Sequence, residues 1–301
     1  MKNFLSIEQC SRAGIEELVE SSILLKEARY IKDFSSRPLL DQCWGIIFSK
    51  ASTRTRISFE VGIRELGGSA MFLSPRDLQL GRGEPIKDTA RVMGRMLHGA
   101  IIRNDSQVEV EQFAELAGIP TINALTDQEH PCQIIADLLT VRESLGGWED
   151  KKVVFLGDVD CNVAHSWVWA AKHLGFELVL SGPSEICSPV NYLEELDCSN
   201  VSFEEDSFVA VADANVLYTD VWVSMGMEDE ATKREGAFTD YQINEKIISL
   251  ADSNAMVMHC LPAYRDKEIS ESTFEAHAET IFSQAENRLH AQKAIMKDLA
   301  T

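Results

Sequence analysis

Short apolar runs rich in β-branched and aromatic residues alternate along this chain with segments of helical period. No other sequence feature restricts the fold as much. Runs near 44–49, 69–73, 99–103, 120–123, 152–156, 177–181, 215–219 and 255–259 read as strands. Between them, "RTRISFEVGIREL", "IKDTARVMGRMLHG", "CQIIADLLTVRESLG" and "NVAHSWVWAAKHLG" place apolar residues at i, i+3 and i+4, and the last three end in Gly, a common helix stop. Strands separated by helices form a parallel sheet covered by those helices, so the chain is expected to be an α/β protein. The stretch "ESLGGWEDKK", 143–152, joins a Gly-Gly stop to a charged run and is the expected junction. It divides the chain into two doubly wound parallel-sheet domains of similar size joined by helices, 1–145 and 146–284, each with about four strands.

At 301 residues, 45% hydrophobic and 25% charged, the chain can bury a core of that size. Its 48 acidic side chains against 28 basic ones give a net charge of -20, which argues against nucleic acid or a membrane surface as partner, since both are polyanionic. An anion must therefore be caught locally. No stretch approaches the ~20 apolar residues of a membrane span, and "MKNFLSIEQCSRAG" has no signal-peptide-like apolar core, so a cytoplasmic location is expected. Seven scattered cysteines without a C-x-x-C pair read as free thiols in a reducing compartment.

In doubly wound sheets ligands sit outside the carboxyl ends of the strands, and several polar clusters fall there. "SKASTRTRISFE", 49–60, carries Ser52, Thr53, Arg54 and Thr55 from a strand into a helix. Free backbone N–H groups, the positive end of the helix dipole, hydroxyls and an arginine together suit a phosphate, whereas a lone Ser-Thr pair would be a helix cap. The segment lacks G-x-x-x-x-G-K-[ST], which disfavours a nucleotide P-loop. Arg103 closes the strand before "NDSQ", and "DQEHPCQ" leads His130 and Gln133 into a helix. One His before Pro is commonly a capping or core residue; beside Arg103 and Thr55 it could polarise a carbonyl. In the second half, "FLGDVDCNVAHS" is a strand-to-helix turn without G-x-G-x-x-G, which weakens a nicotinamide reading but leaves Asn162 at a helix start. "YTDVWVSMGMEDE" offers Asp220, Ser224 and a Met-Gly pair, and "VMHCLPAYRDKE" ends a strand at Cys260 and Leu261. Singly, these two are ordinary turns.

Together these segments resemble the aspartate/ornithine carbamoyltransferase superfamily. "STRTR" is similar to its carbamoyl phosphate signature and "HPCQ" to its H-P-x-Q element, while "DVWVSMG" and "HCLP" resemble the ornithine branch. The match runs in order from about residue 40 to "ENRLHAQKAIM". The resemblance implies transfer of the carbamoyl group of carbamoyl phosphate to the side-chain amine of L-ornithine, giving citrulline and phosphate, with no metal or organic cofactor. It assigns residues 1–145 to carbamoyl phosphate, with a C-terminal helix about 285–301 packing back on them, and 146–284 to ornithine. Phosphate would meet Ser52, Thr53, Arg54, Thr55 and Arg103; the carbonyl oxygen would face Thr55, Arg103 and His130. The carbamoyl NH2 would bond Gln133 and the main chain of Cys260 and Leu261, with Arg288 of "ENRLH" reaching the same group. Asn162, Asp220, Ser224 and the main chain of Met225 match the positions holding the amino acid, with Cys260 and Asp220 near its side-chain amine. The family's unit is a homotrimer, or a multiple of trimers, in which Gln79 of the loop 74–85 reaches a neighbouring subunit's site.

The sequence departs from the family pattern at Ala51, where Pro is usual, at Tyr264, where His is common, and at Asp160 and Cys161, where Arg-Asn or a similar pair is frequent. The competing readings are a carbamoyltransferase for an N-acylated ornithine or putrescine, and a non-catalytic ligand-binding relative. Neither alternative acceptor needs Asp220 and "SMG" together, and a mere binder would not need the donors that face the carbonyl.

Overall fold

A computed structural model describes residues 1–74, 84–187, 193, 196–223 and 231–300. The chain divides into two compact units, Met1–Leu139 with Glu286–Thr301, and Thr140–Ala285.

In the first unit, α1 (Arg12–Tyr30) precedes β1 (Cys43–Phe48), α2 (Thr53–Glu65), β2 (Ser69–Leu73), α3 (Ile86–Met93), β3 (Gly99–Arg103), α4 (Gln107–Ala117), β4 (Thr121–Leu125) and α5 (Pro131–Leu145), whose last turn lies beyond the unit boundary. The sheet is parallel throughout, in the order β2-β1-β3-β4. β1 and β3 are buried along nearly their whole length, as strands covered on both faces must be, and so they read as continuous apolar runs in the sequence. The N-terminal segment closes the β4 edge: Phe4 N–H donates to the Thr121 carbonyl, and the Phe4 carbonyl accepts from Asn123 N–H (2.9 and 2.8 Å). That contact satisfies an edge otherwise open to pairing. On α2, Phe59 and Ile63 face the core, and Gly62 lets Lys293 and Met296 of the C-terminal segment approach closely.

The second unit holds β5 (Lys152–Leu156), α6 (Asn162–Leu174), β6 (Glu177–Ser181), β7 (Val201–Phe203), α7 (Ser207–Ala210), β8 (Val216–Thr219), α8 (Ala231–Ala237), α9 (Glu245–Ile248), β9 (Met256–His259), α10 (Glu271–Ala276) and the start of α11 (Ala278–Leu299). Its sheet is also parallel, ordered β7-β6-β5-β8-β9. The core packs Val154, Leu156, Leu217 and Val257 against Ile243, Ile269 and Phe274.

The expected α/β class and all eight expected strands are present, with ends within about two residues. Two expectations fail. β7 adds a fifth strand to the second sheet, from a run of three residues too short to stand out. α3 stops at Met93 instead of running on to Gly99, with Gly94 as its C-cap; there the backbone meets the end of α4 so closely that a Cβ would lie 2.0 Å from the Ala117 carbonyl, an approach only glycine permits. All seven cysteines are free thiols. Among the described residues no helix is long and apolar enough to cross a membrane.

Candidate active site

In the first sheet the winding direction reverses between β1 and β3, which opens a crevice at their carboxyl ends. The two ends are tied together: Ser49 donates to the Arg103 carbonyl from both its N–H (2.9 Å) and its Oγ (3.0 Å). Ser52 is the N-cap of α2, yet its side chain does not cap; Oγ donates instead to Thr55 Oγ1 (2.9 Å). The first helical bond runs from Arg56 N–H to the Ser52 carbonyl (3.1 Å), so the amides of Thr53, Arg54 and Thr55 stand outside the ladder. Arg288 Nη2 reaches the same Thr55 oxygen at 2.5 Å. A hydroxyl oxygen that accepts twice directs its own proton elsewhere, and the buried Nε of Arg54 has no hydrogen-bond partner. Unspent donors converging on a helix start make an anion site.

His130 enters this region from a loop held by a buried polar network. Thr126 N–H donates to the Glu129 carbonyl (2.9 Å) and Glu129 N–H to Thr126 Oγ1 (3.2 Å), while Gln107 Oε1 accepts from both Thr126 Oγ1 and Asn123 Nδ2 (2.8 and 3.0 Å). Glu129 in turn accepts from Ile7 N–H (2.8 Å). Pro131 then starts α5 where no amide proton is needed. Burial first, then the charges of Arg288 and Arg103, hold the His130 imidazole well below its usual pKa. It is therefore neutral at physiological pH, a hydrogen-bond donor that adds no charge. One turn on, Gln133 Nε2 donates to Asp137 (2.8 Å), leaving its buried Oε1 without a partner.

In the second sheet the reversal falls between β5 and β8, where Asn162 opens α6 and Asp220 follows β8. Thr219 Oγ1 donates to the Leu156 carbonyl (2.8 Å), and the Asp220 carboxylate accepts from Val221 N–H (2.7 Å). Cys161 caps α6 through its sulfur, which accepts from Ala164 N–H (3.5 Å); burial, then Asp220 and Asp158, push this thiol well above its usual pKa.

The Cys260-Leu261 turn is built on His259. Its Nδ1 accepts from Leu261 N–H (2.9 Å), which assigns the proton to Nε2, facing Glu268 (3.1 Å). Glu268 also accepts from Tyr264 N–H (2.5 Å), leaving the Tyr264 ring 54% exposed. Leu261 takes a left-handed φ of 58° before a cis proline. The ligating atoms of Asp220, His259 and Cys260 lie within 4.8 Å of one another, but both nitrogens of His259 are committed, so the trio is not a set of three available metal ligands.

The structure thus gathers Ser52, Thr55 and Arg288 by direct bonds, with His130 within electrostatic reach of Arg103 and Arg288, and separately brings Asp220 and Cys260 together. Gln79, Ser224 and Met225 lie outside the described residues. Sequence reading passed over Glu268, Asp137, Arg234 and the strut role of His259. Arg234 meets Asp158 76 positions away, whereas Asp137, four residues from Gln133, and Glu268, nine from His259, have near partners but nothing in their own segments singles them out.

Comparison with known proteins agrees over the whole chain. Residues 2–143 match the family profile described as "Aspartate/ornithine carbamoyltransferase, carbamoyl-P binding domain", and 149–299 match "Aspartate/ornithine carbamoyltransferase, Asp/Orn binding domain". The ornithine carbamoyltransferase of Akkermansia muciniphila is 54% identical, covering 100% of this chain and 98% of its own. That of Methanosphaera stadtmanae is 46% identical, with 98% of each chain covered. Among solved structures, the anabolic ornithine carbamoyltransferase of Campylobacter jejuni superposes with a TM-score of 0.91 at 40% identity over 99% of each chain.

Proposed function

The chain belongs to the aspartate/ornithine carbamoyltransferase family, and from that membership we infer that it moves the carbamoyl group of carbamoyl phosphate to the side-chain amine of L-ornithine, giving L-citrulline and phosphate. The observation that carries the assignment of roles is the double-accepting Thr55, set among three free helix-start amides and Arg288. A dianionic acyl phosphate is the kind of ligand such a set of donors fits.

In this proposal Ser52, Thr53, Arg54, Thr55 and Arg103 hold the phosphate. Neutral His130, with Arg103 and Thr55, donates to the carbonyl oxygen, and Gln133 Oε1 accepts from the carbamoyl NH2 with help from the main chain of Cys260 and Leu261. Arg288 holds Thr55 and faces the carbamoyl group. Asn162, Asp220, Ser224 and Met225 receive ornithine, with Cys260 beside its amine. The deprotonated amine attacks the carbonyl carbon, forming the C–N bond and placing negative charge on the oxygen. Each preorganised donor there contributes about 3 kcal/mol to the transition state in comparable acyl transfers. Collapse breaks the C–O bond to phosphate, and the amine proton passes to the departing phosphate oxygen.

The residues 1–145 and 146–284 then serve as the carbamoyl phosphate and ornithine domains, with the C-terminal helix, about 285–301, belonging to the first. The working assembly is a homotrimer in which Gln79 serves a neighbouring subunit, and free thiols accord with a cytoplasmic location. The experiment is a parallel count of products from carbamoyl phosphate and L-ornithine. Citrulline and phosphate should appear in equal amounts; phosphate release without citrulline would overturn the transferase reading.

A further inference from the structure

Three consecutive residues at the end of β5 grip the turn that carries Asp220. The Leu156 carbonyl accepts from Thr219 Oγ1 (2.8 Å). Gly157 has a φ of 114°, and a Cβ there would stand 3.2 Å from the indole ring of Trp222, so this close approach needs glycine. Asp158 pairs with Arg234, whose Nε donates to the Trp222 carbonyl (2.7 Å). The guanidinium lies 5.2 Å from the centre of the Phe238 ring, which stacks on Trp222 at 6.0 Å.

Both charged side chains are more than nine-tenths buried, 8% and 7% exposed. Removing two charges from water costs several kcal/mol each, and a well-packed apolar pair would join strand to helix at least as firmly. Stability alone therefore does not explain the pair. An apolar pair cannot donate to the Trp222 carbonyl while anchored on a strand end, and Arg234 does both. Its two bonds fix the backbone two residues beyond Asp220, and the Thr219 bond fixes the residue before it.

We infer that the Asp158–Arg234 pair is a positioning device for the acceptor site: by bridging the Trp222 carbonyl to the end of β5 it aims the Asp220 carboxylate, and so sets the affinity for the amino-acid acceptor without touching it. This rests on the reading of Asp220 as an ornithine-facing group. Small misplacements of such groups cost up to about 100-fold.

The test compares Asp158→Asn, Arg234→Lys, the double variant Asp158→Asn/Arg234→Gln and, as reference, Asp220→Asn. Readouts are ornithine KM, kcat at saturating ornithine, carbamoyl phosphate Kd without ornithine, and the urea midpoint. Both single variants should raise ornithine KM by about tenfold or more and leave carbamoyl phosphate Kd within about twofold. The double variant, with no buried charge left unpaired, should regain urea resistance while its ornithine KM stays high. If KM recovers together with the midpoint, or carbamoyl phosphate affinity falls in step with ornithine affinity, the pair is only structural support and the inference is overturned. Should a single variant fail to fold, the other and the double variant decide on the same readouts. Unchanged ornithine use in Asp220→Asn would overturn the acceptor role of Asp220, and this inference with it; impaired Asp220→Asn beside unaffected clamp variants would overturn the clamp alone.

Discussion

Arg288 Nη2 donates to Thr55 Oγ1 at 2.5 Å, a bond between residues 233 positions apart that joins the C-terminal helix to the first turn of α2. Ser52 Oγ donates to the same oxygen. Thr55→Val keeps the shape of the side chain and removes the acceptor, stranding both donors. We predict about a 100-fold loss in kcat/KM for carbamoyl phosphate. The urea stability should fall by about 1–3 kcal/mol. Steady-state kinetics and urea titration check the two effects; unchanged kinetics would remove Thr55 from the site.

Two buried imidazoles should make the fold acid-sensitive. His130 is held well below its usual pKa of 6.5, and His290 is lowered to about 3 by burial, then by Lys293, Lys26 and Arg29, against which Glu286 at 3.5 Å does not prevail. A group whose folded pKa is depressed contributes stability that is fully present above its unfolded value and is lost as pH falls toward the folded one. Between pH 6.5 and about 3, then, the unfolded chain binds the extra proton. Each imidazole adds a slope of up to about 1.4 kcal/mol per pH unit. Urea midpoints from about pH 7.5 down to 5 should therefore fall less steeply in His290→Gln than in the parent. Parallel curves would contradict a neutral buried His290.

Removing the His259 strut should damage both stability and catalysis. His259→Leu leaves Glu268, 1% exposed, as a buried carboxylate without the imidazole, and takes the acceptor from Leu261 N–H. Leaving a buried polar group without its hydrogen-bond partner costs about 1–3 kcal/mol. We expect a loss of that order by denaturant titration and a fall in kcat; His259→Asn, which can still accept from Leu261 N–H, should recover part of the kcat. Equal damage from both substitutions would mean that the turn does not depend on that bond.

A thiol is a weak cap. Cys161 accepts from Ala164 N–H at 3.5 Å, at the position of α6 where serine is among the preferred residues. Cys161→Ser should therefore raise stability by about 0.5–1 kcal/mol, read as an upward shift of the urea midpoint. A downward shift would show that the thiol's packing outweighs the cap.

The sheets were legible in the sequence because buried parallel strands such as "CWGIIF" are apolar from end to end, and because helices such as α6 keep their period and stop at a glycine. Local chemistry was legible for the same reason: "STRTR" concentrates its donors within one helical turn. Part of what escaped notice depends on residues that meet only in the fold. Nothing near Arg288 in "ENRLH" announces Thr55, and nothing near Arg234 announces Asp158. The close approach of Gly94 to the Ala117 carbonyl, where α3 ends, is likewise invisible in its own segment.

The most direct measurement is a one-pot competition. Purified protein receives limiting carbon-13-labelled carbamoyl phosphate and equal concentrations of L-ornithine, N-acetylornithine, putrescine and L-aspartate, and NMR follows the labelled carbon. Competing acceptors divide the label in the ratio of their kcat/KM values. The site described above predicts that nearly all the label appears in the ureido carbon of L-citrulline. Label going mainly to another acceptor, or to none while phosphate is released, would contradict it.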